Sequence, residues 1–138
     1  MMLVKDNMQK AVLPYASITF EYPIVHIIFE KEVDLGFPEI KELTRVAEEL
    51  AGYKPYVVLS EVKANVNVTP EGKRLTTDRK EITLARGTAV LVDNSIYMMA
   101  MNFYSNFTSP PFPFKAFTDK QKAIAWLRSL PLDQGPSL

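Results

Sequence analysis

The sequence predicts one α/β domain built on a mixed, mostly parallel sheet of about five strands, opened by an antiparallel hairpin and packed by four helices. Three observations lead there. Tyr56–Leu59 and Thr88–Val92 are short, nearly continuous apolar runs, the pattern of strands covered on both faces. Between and after them lie segments whose apolar residues recur at spacings of three and four, the period of a helix with one buried stripe. Ahead of them, ASITFEYPIVHIIFE is rich in β-branched and aromatic residues.

Taken in order, residues 1–14 are mixed in character, contain Pro14 and predict a loose arm. Ile18 and Phe20 alternate with Ser17 and Thr19 as in a half-buried strand, and Ile24 to Phe29 resumes after Tyr22-Pro23. The pair reads as an antiparallel hairpin, with one long bulged strand as the alternative. Asp34 to Pro38 is a turn that opens a helix; Ile40, Leu43, Ala47 and Leu50 draw its inner stripe, and Gly52 and Pro55 stop it. The central strand Tyr56–Leu59 is followed by the polar stretch KANVNVTPEGKRLTTDRKE. Within it Thr69-Pro70-Glu71 has the make-up of a helix start: a capping hydroxyl, proline in the first turn and a carboxylate at the positive end of the dipole.

After the strand Thr88–Val92, Asn94-Ser95 caps a third helix, in which Ile96, Met99, Ala100, Phe103 and Phe107 share a face. Phe112 to Phe117 is a last short strand. Thr118 to Gln121 has the spacing of a capping box led by threonine, opening a final helix that turns Ala123, Ile124, Leu127 and Leu130 inward. Residues 131–138 read as a frayed tail. The element order is β-β-α-β-α-β-α-β-α, in a single domain spanning 1–138.

At 138 residues the chain is long enough to bury roughly two thirds of the surface its unfolded form exposes. Sixteen Lys and Arg balance sixteen Asp and Glu, so the chain has no net positive field of the kind that nucleic-acid binders use, and anionic membrane surfaces lose support for the same reason. Cysteine is absent, which removes disulfides, thiolate metal sites and cysteine nucleophiles together. No segment is apolar over the 18 or more residues of a membrane span, and the N-terminus has no secretory pattern; a cytoplasmic chain is expected.

The strand YVVLSEV, the entry into a helix at VTPEGKR, the strand GTAVLV with its following helix, and the closing FPFKAFTDKQKAIAWL together resemble the STAS domain family, named for sulfate transporters and anti-sigma factor antagonists. From Tyr15 to Leu130, more than four fifths of the chain, the run is similar to the small bacterial STAS-like proteins, whose fold is compared with lipid-binding CRAL-TRIO domains. The resemblance implies a regulatory or binding module and no enzyme. It further implies a phosphoacceptor at the start of the helix after the central strand. Thr69 occupies that position here, although the D-S-S-G-like context is replaced by Thr69-Pro70-Glu71-Gly72.

Thr69, with Glu71, Lys73 and Arg74, is therefore a candidate phosphoacceptor or interaction loop, weighed against a plain helix cap worth about 1 kcal/mol. His26 is the one histidine and has no ligand partner at metal-binding spacing; a sheet-face position, outward or hydrogen-bonded, outweighs a catalytic one. The serines lack a nucleophile-elbow context, and the scattered glycines form no phosphate-binding loop. No cofactor is implied. The third helix is apolar almost all round: Tyr97, Met98, Met101 and Tyr104 fall outside the stripe holding Met99, Phe103 and Phe107. That pattern suits burial, or else a surface for a protein partner or second copy, or a pocket for a small apolar ligand held against the sheet by Met99, Phe103 and Phe107. The leading expectation is a non-enzymatic interaction module of STAS type, the second a carrier of a small apolar ligand, the third an enzyme whose residues converge only in space.

Overall fold

The structure, a computed structural model, describes residues 2–4, 9–76, 84–99, 102 and 112–133. Helix α1 (Phe37–Leu50) packs one face of the sheet because Ile40, Leu43, Val46, Ala47 and Leu50 are all buried along one stripe. Glu39 folds its carboxylate back to accept the Gly36 amide at 2.9 Å. Gly52, at φ 67, then supplies the left-handed stop that the sequence predicts.

Strands β1 (Met2–Val4), β2 (Gln9–Val12), β3 (Ala16–Glu21), β4 (Ile24–Phe29), β6 (Tyr56–Val62), β8 (Ala85–Leu91) and β9 (Phe114–Phe117) form one seven-stranded sheet in the order β1-β2-β3-β4-β6-β8-β9. The first three ladders are antiparallel and the last three parallel. β3 and β4 are the expected hairpin, turning at Tyr22-Pro23 so that Glu21 faces Ile24. The two predicted inner strands lie side by side, with Val58 opposite Thr88 and Leu59 opposite Ala89. Two further strands, β5 (Val33–Leu35) and β7 (Val66–Val68), make a separate parallel pair that positions helix α2 (Pro70–Thr76). Residues 95–99 and 102 are helical and belong to α3; α4 (Lys120–Arg128) closes the chain's last crossover.

Side chains alternate across β6, so it divides the core in two. Tyr56 joins Val25, Ile27 and Phe29 under α1, while Val57 and Leu59 join Ile24, Ala89 and Phe117 under Ala123 and Leu127 of α4. Trp126 tilts against Phe117 with ring centroids 5.7 Å apart.

Four expectations need correction. Residues 2–4 and 9–12 are not a loose arm: the open side of β3 offers unpaired backbone groups, β2 takes them, and Ala11 and Leu13 are buried as a result. β5 and β7 fall in stretches read as turn and polar loop; three-residue strands give too few alternations to show a period. The last helix is capped by Asp119, not Thr118, since the Asp119 carboxylate accepts the Gln121 and Lys122 amides at 2.9 and 3.2 Å. The start of the supposed tail is anchored, with the Leu132 carbonyl accepting Arg86 Nε at 3.2 Å. Residues 134–138 lie outside the described residues.

Three measurements check this account. Asp119→Ala is expected to cost about 1 kcal/mol in denaturant unfolding, the usual value of a lost cap, whereas Thr118→Ala stays within about 0.5 kcal/mol. A Cβ on Gly72 would drive into the Leu35 carbonyl, so Gly72→Ala is expected to lose about 1–3 kcal/mol, the range for forced overpacking. Burial, reinforced by Glu48 and partly offset by Arg86, pushes the Tyr56 phenol above its ordinary value; burial and then Glu42 do the same for Tyr15. A phenol raised in the folded state stabilises fully below its unfolded value and loses that contribution as pH climbs. Unfolding midpoints are therefore expected to fall above about pH 10, less steeply in Tyr56→Phe.

Candidate functional site

The loop around Thr69 is a tight corner where two helices begin together. β5 and β7 run parallel, Leu35 lies beside Val68, and each strand leads directly into a helix start. Thr69 lies at the junction. Its amide donates to the Leu35 carbonyl at 3.1 Å, its hydroxyl donates to the same oxygen at 3.4 Å, and the hydroxyl accepts the Gly72 amide at 3.1 Å. The side chain thus holds α2 against β5 from both sides, which is the capping role. Glu71, Lys73 and Arg74 are exposed on the same short helix. Lys73 and Arg74 carry further interactions of their own.

A second place was partly foreseen. His26 sits mid-strand on β4, and its Nε2 lies 2.8 Å from Glu61 Oε2, both side chains being 18% exposed. The parallel register sets His26 beside Leu59, which brings Glu61, two residues on, to the same face. The Lys63 ammonium approaches the other carboxylate oxygen at 3.9 Å. A histidine oriented by a carboxylate is half of a proton-transfer unit, and a nucleophile would complete it. Thr19 is the cross-strand neighbour of His26, yet among the described residues the imidazole's hydrogen-bond partner is Glu61; the nearby Ser17 hydroxyl donates to Glu30 at 3.2 Å. The spacing of His26 and Glu61 in sequence gives no hint of this contact, since only strand register produces it. Among the described residues no three histidine, aspartate or glutamate side chains are grouped as metal ligands.

The start of α3 differs most from expectation. Asn94 caps it as predicted, its Oδ1 accepting the Tyr97 amide at 2.7 Å. Ile96 and Met99, assigned to the inner stripe, stand 81% and 65% exposed, and Tyr97 is 52% exposed. Met98 is half-buried instead. The reason is Asn102, one turn beyond Met98, whose carboxamide bonds Ala116 of β9 through both its atoms, Oδ1 accepting the amide at 2.7 Å and Nδ2 donating to the carbonyl at 3.2 Å. That polar contact ties the described part of α3 to the sheet edge. Met99 therefore does not line a closed pocket against the sheet. Met101, Phe103, Tyr104 and Phe107 lie outside the described residues. Asn102 was missed because a lone asparagine in an apolar helix carries no periodic signal.

No helix of the described residues is long and apolar enough to cross a membrane. No curated protein matches the sequence. Among solved structures the chain is similar to an uncharacterized protein from the DUF3478 family with a SpoIIAA-like fold, from Shewanella loihica PV-4. The TM-score is 0.53 at 18% identity, covering 81% of this chain and 91% of that one. At that identity the likeness speaks for the fold, an α/β fold of STAS-like type. The model of the family described as a domain of unknown function, DUF7793, matches residues 18–131, and the chain belongs to that family.

Proposed function

We propose that this chain is a non-enzymatic binding module of STAS type, working in the cytoplasm and docking a protein partner through the exposed start of α3. The observation that carries the reading is the outward display of Ile96, Tyr97 and Met99 within four consecutive positions. Apolar area left in water costs about 25 cal/mol per Å², and a partner that covers these side chains recovers it. Tyrosine and methionine suit the task, the first by large rigid contact area and the second by adapting to varied shapes. The balanced charge of the chain favours a protein over a nucleic acid. The SpoIIAA-like fold of the similar structure supports a module of this type.

The loop around Thr69 serves in this proposal as a second, polar contact, with Glu71, Lys73 and Arg74 at its rim. Thr69 itself is read as a cap, because both of its hydroxyl bonds serve the fold. A phosphate there would replace the hydroxyl that donates to Leu35 and force its oxygens against that carbonyl. The exposure of Met99 favours a partner surface over a carrier pocket for a small apolar ligand.

A photo-crosslinking residue placed at Tyr97 in the native cell tests the proposal. A discrete protein adduct is expected, whether with another chain or a second copy. Ile96→Glu with Met99→Glu should lower its yield about tenfold or more, the effect of removing one interface hot spot, with the unfolding midpoint unchanged. Absence of any adduct, or a turnover abolished by a single substitution elsewhere, would overturn it.

A further inference from the structure

The edge of the sheet at β9 is closed by a side chain where a strand would otherwise pair. β9 ends the seven-stranded sheet, and in its parallel ladder the Thr88 and Val92 amides donate to the Pro113 and Phe117 carbonyls at 2.9 and 2.8 Å. Backbone groups point alternately to the two sides of a strand, so the Ala116 amide and carbonyl face away from β8. Asn102 meets both, at 2.7 and 3.2 Å. One donor and one acceptor bonded to one residue's amide and carbonyl reproduce the closed pair made by a facing residue in an antiparallel ladder. A carboxamide carries the same donor and acceptor as a peptide group, so Asn102 stands in for an eighth strand.

We propose that Asn102 is an edge guard: its carboxamide occupies the pairing position on β9 and holds off strand addition by a second copy of the chain. An unguarded edge is a template for such pairing. The opposite edge of the same sheet is β1, whose outer side has no strand partner among the described residues. A β9 edge opened in one copy could accept β1 of the next, a head-to-tail contact that does not close on itself. Lys115, exposed on β9 between Phe114 and Ala116, is a second device of the same kind, since a charged side chain disfavours a neighbouring strand. The inference rests on the backbone bonds of β9 and not on the partner surface proposed above, although Asn102 itself belongs to α3.

Amide hydrogen exchange with sedimentation velocity on the full chain decides it. In Asn102→Ala at low concentration the Ala116 amide is expected to exchange about tenfold faster or more, the factor corresponding to 1.4 kcal/mol of lost hydrogen bonding. The Thr88 and Val92 amides, bonded within the sheet, should keep their protection. Raising the concentration should restore protection at Ala116 together with a rise in mass, and the parent chain should show no such coupled change. Asn102→Asp, which keeps the acceptor and loses the donor, should fall between. Unchanged exchange at Ala116 in Asn102→Ala would overturn the proposal. So would exposure of Ala116 without concentration-dependent association. If Asn102→Ala loses protection at Thr88 and Val92 as well, the aspartate variant decides: intact sheet amides with concentration-dependent association support the guard, and intact sheet amides without association refute it.

Discussion

The pairing of β6 between β4 and β8 is the constraint on which the rest of the molecule depends. Parallel strands cannot be joined by a tight turn, so each ladder requires a crossover, and each crossover must bury a helix stripe on one face of the sheet. β6 supplies both faces at once: Tyr56 faces the α1 side, while Val57 and Leu59 face the α4 side, and all three are almost fully buried. Side chains of that size each contribute on the order of 1.5–3 kcal/mol when removed from water. A polar residue at any of them would remove a contact and also leave an unpaired group between two helix layers. The register that satisfies these contacts also brings His26 beside Glu61, so the polar pair on the sheet face is a consequence of core packing.

How far the sequence could be read follows from how much of each element's fate was decided locally. α1 was legible almost residue by residue because its stripe is strictly apolar on one side and its outer face charged; only one rotation buries Ile40, Leu43, Ala47 and Leu50. The inner strands were legible because continuous apolar runs have no other place to go. α3 was not, since a helix apolar on every side has no preferred rotation of its own, and a hydrogen bond to a distant strand decided it. The cap of α4 was misplaced by one residue because Thr118, with Gln121 three residues on, has the capping-box spacing and Asp119, with Lys122 there, lacks it; the carboxylate, pointing at two free amides, is nonetheless the stronger acceptor. β5 and β7 escaped notice because each is stabilised by the other and by the helix it feeds, with little pattern in either alone.

The distribution of polar groups supports the proposed reading of the candidate sites as surfaces. The hydroxyl of Thr69, the carboxylate of Glu39 and the carboxamide of Asn102 each serve a backbone group, at a helix start or at a sheet edge. Groups committed in this way hold the fold and are poor reagents, because using them chemically would break the element they terminate. The His26–Glu61 pair lies outside that pattern, and among the described residues no hydroxyl is bonded to the imidazole. The proposed recognition surface at the start of α3 is of another kind, made of apolar side chains and not of groups bonded to backbone.

These features meet in one contact. The bonds between Asn102 and Ala116 hold one side of α3 to the sheet edge, and in that orientation Ile96, Tyr97 and Met99 stand outward. Were α3 to rotate by about 100°, one residue's turn of a helix, Met99 would move into the place of Met98, and Met98 would be displayed in its stead. That rotation would cost the pairing at Ala116, whose amide and carbonyl are buried against the edge and would be left without partners. A polar contact that is satisfied in only one rotation specifies orientation more sharply than apolar packing, which tolerates several. The bond that closes the sheet edge and the outward display of Ile96, Tyr97 and Met99 thus belong to one orientation of the start of α3.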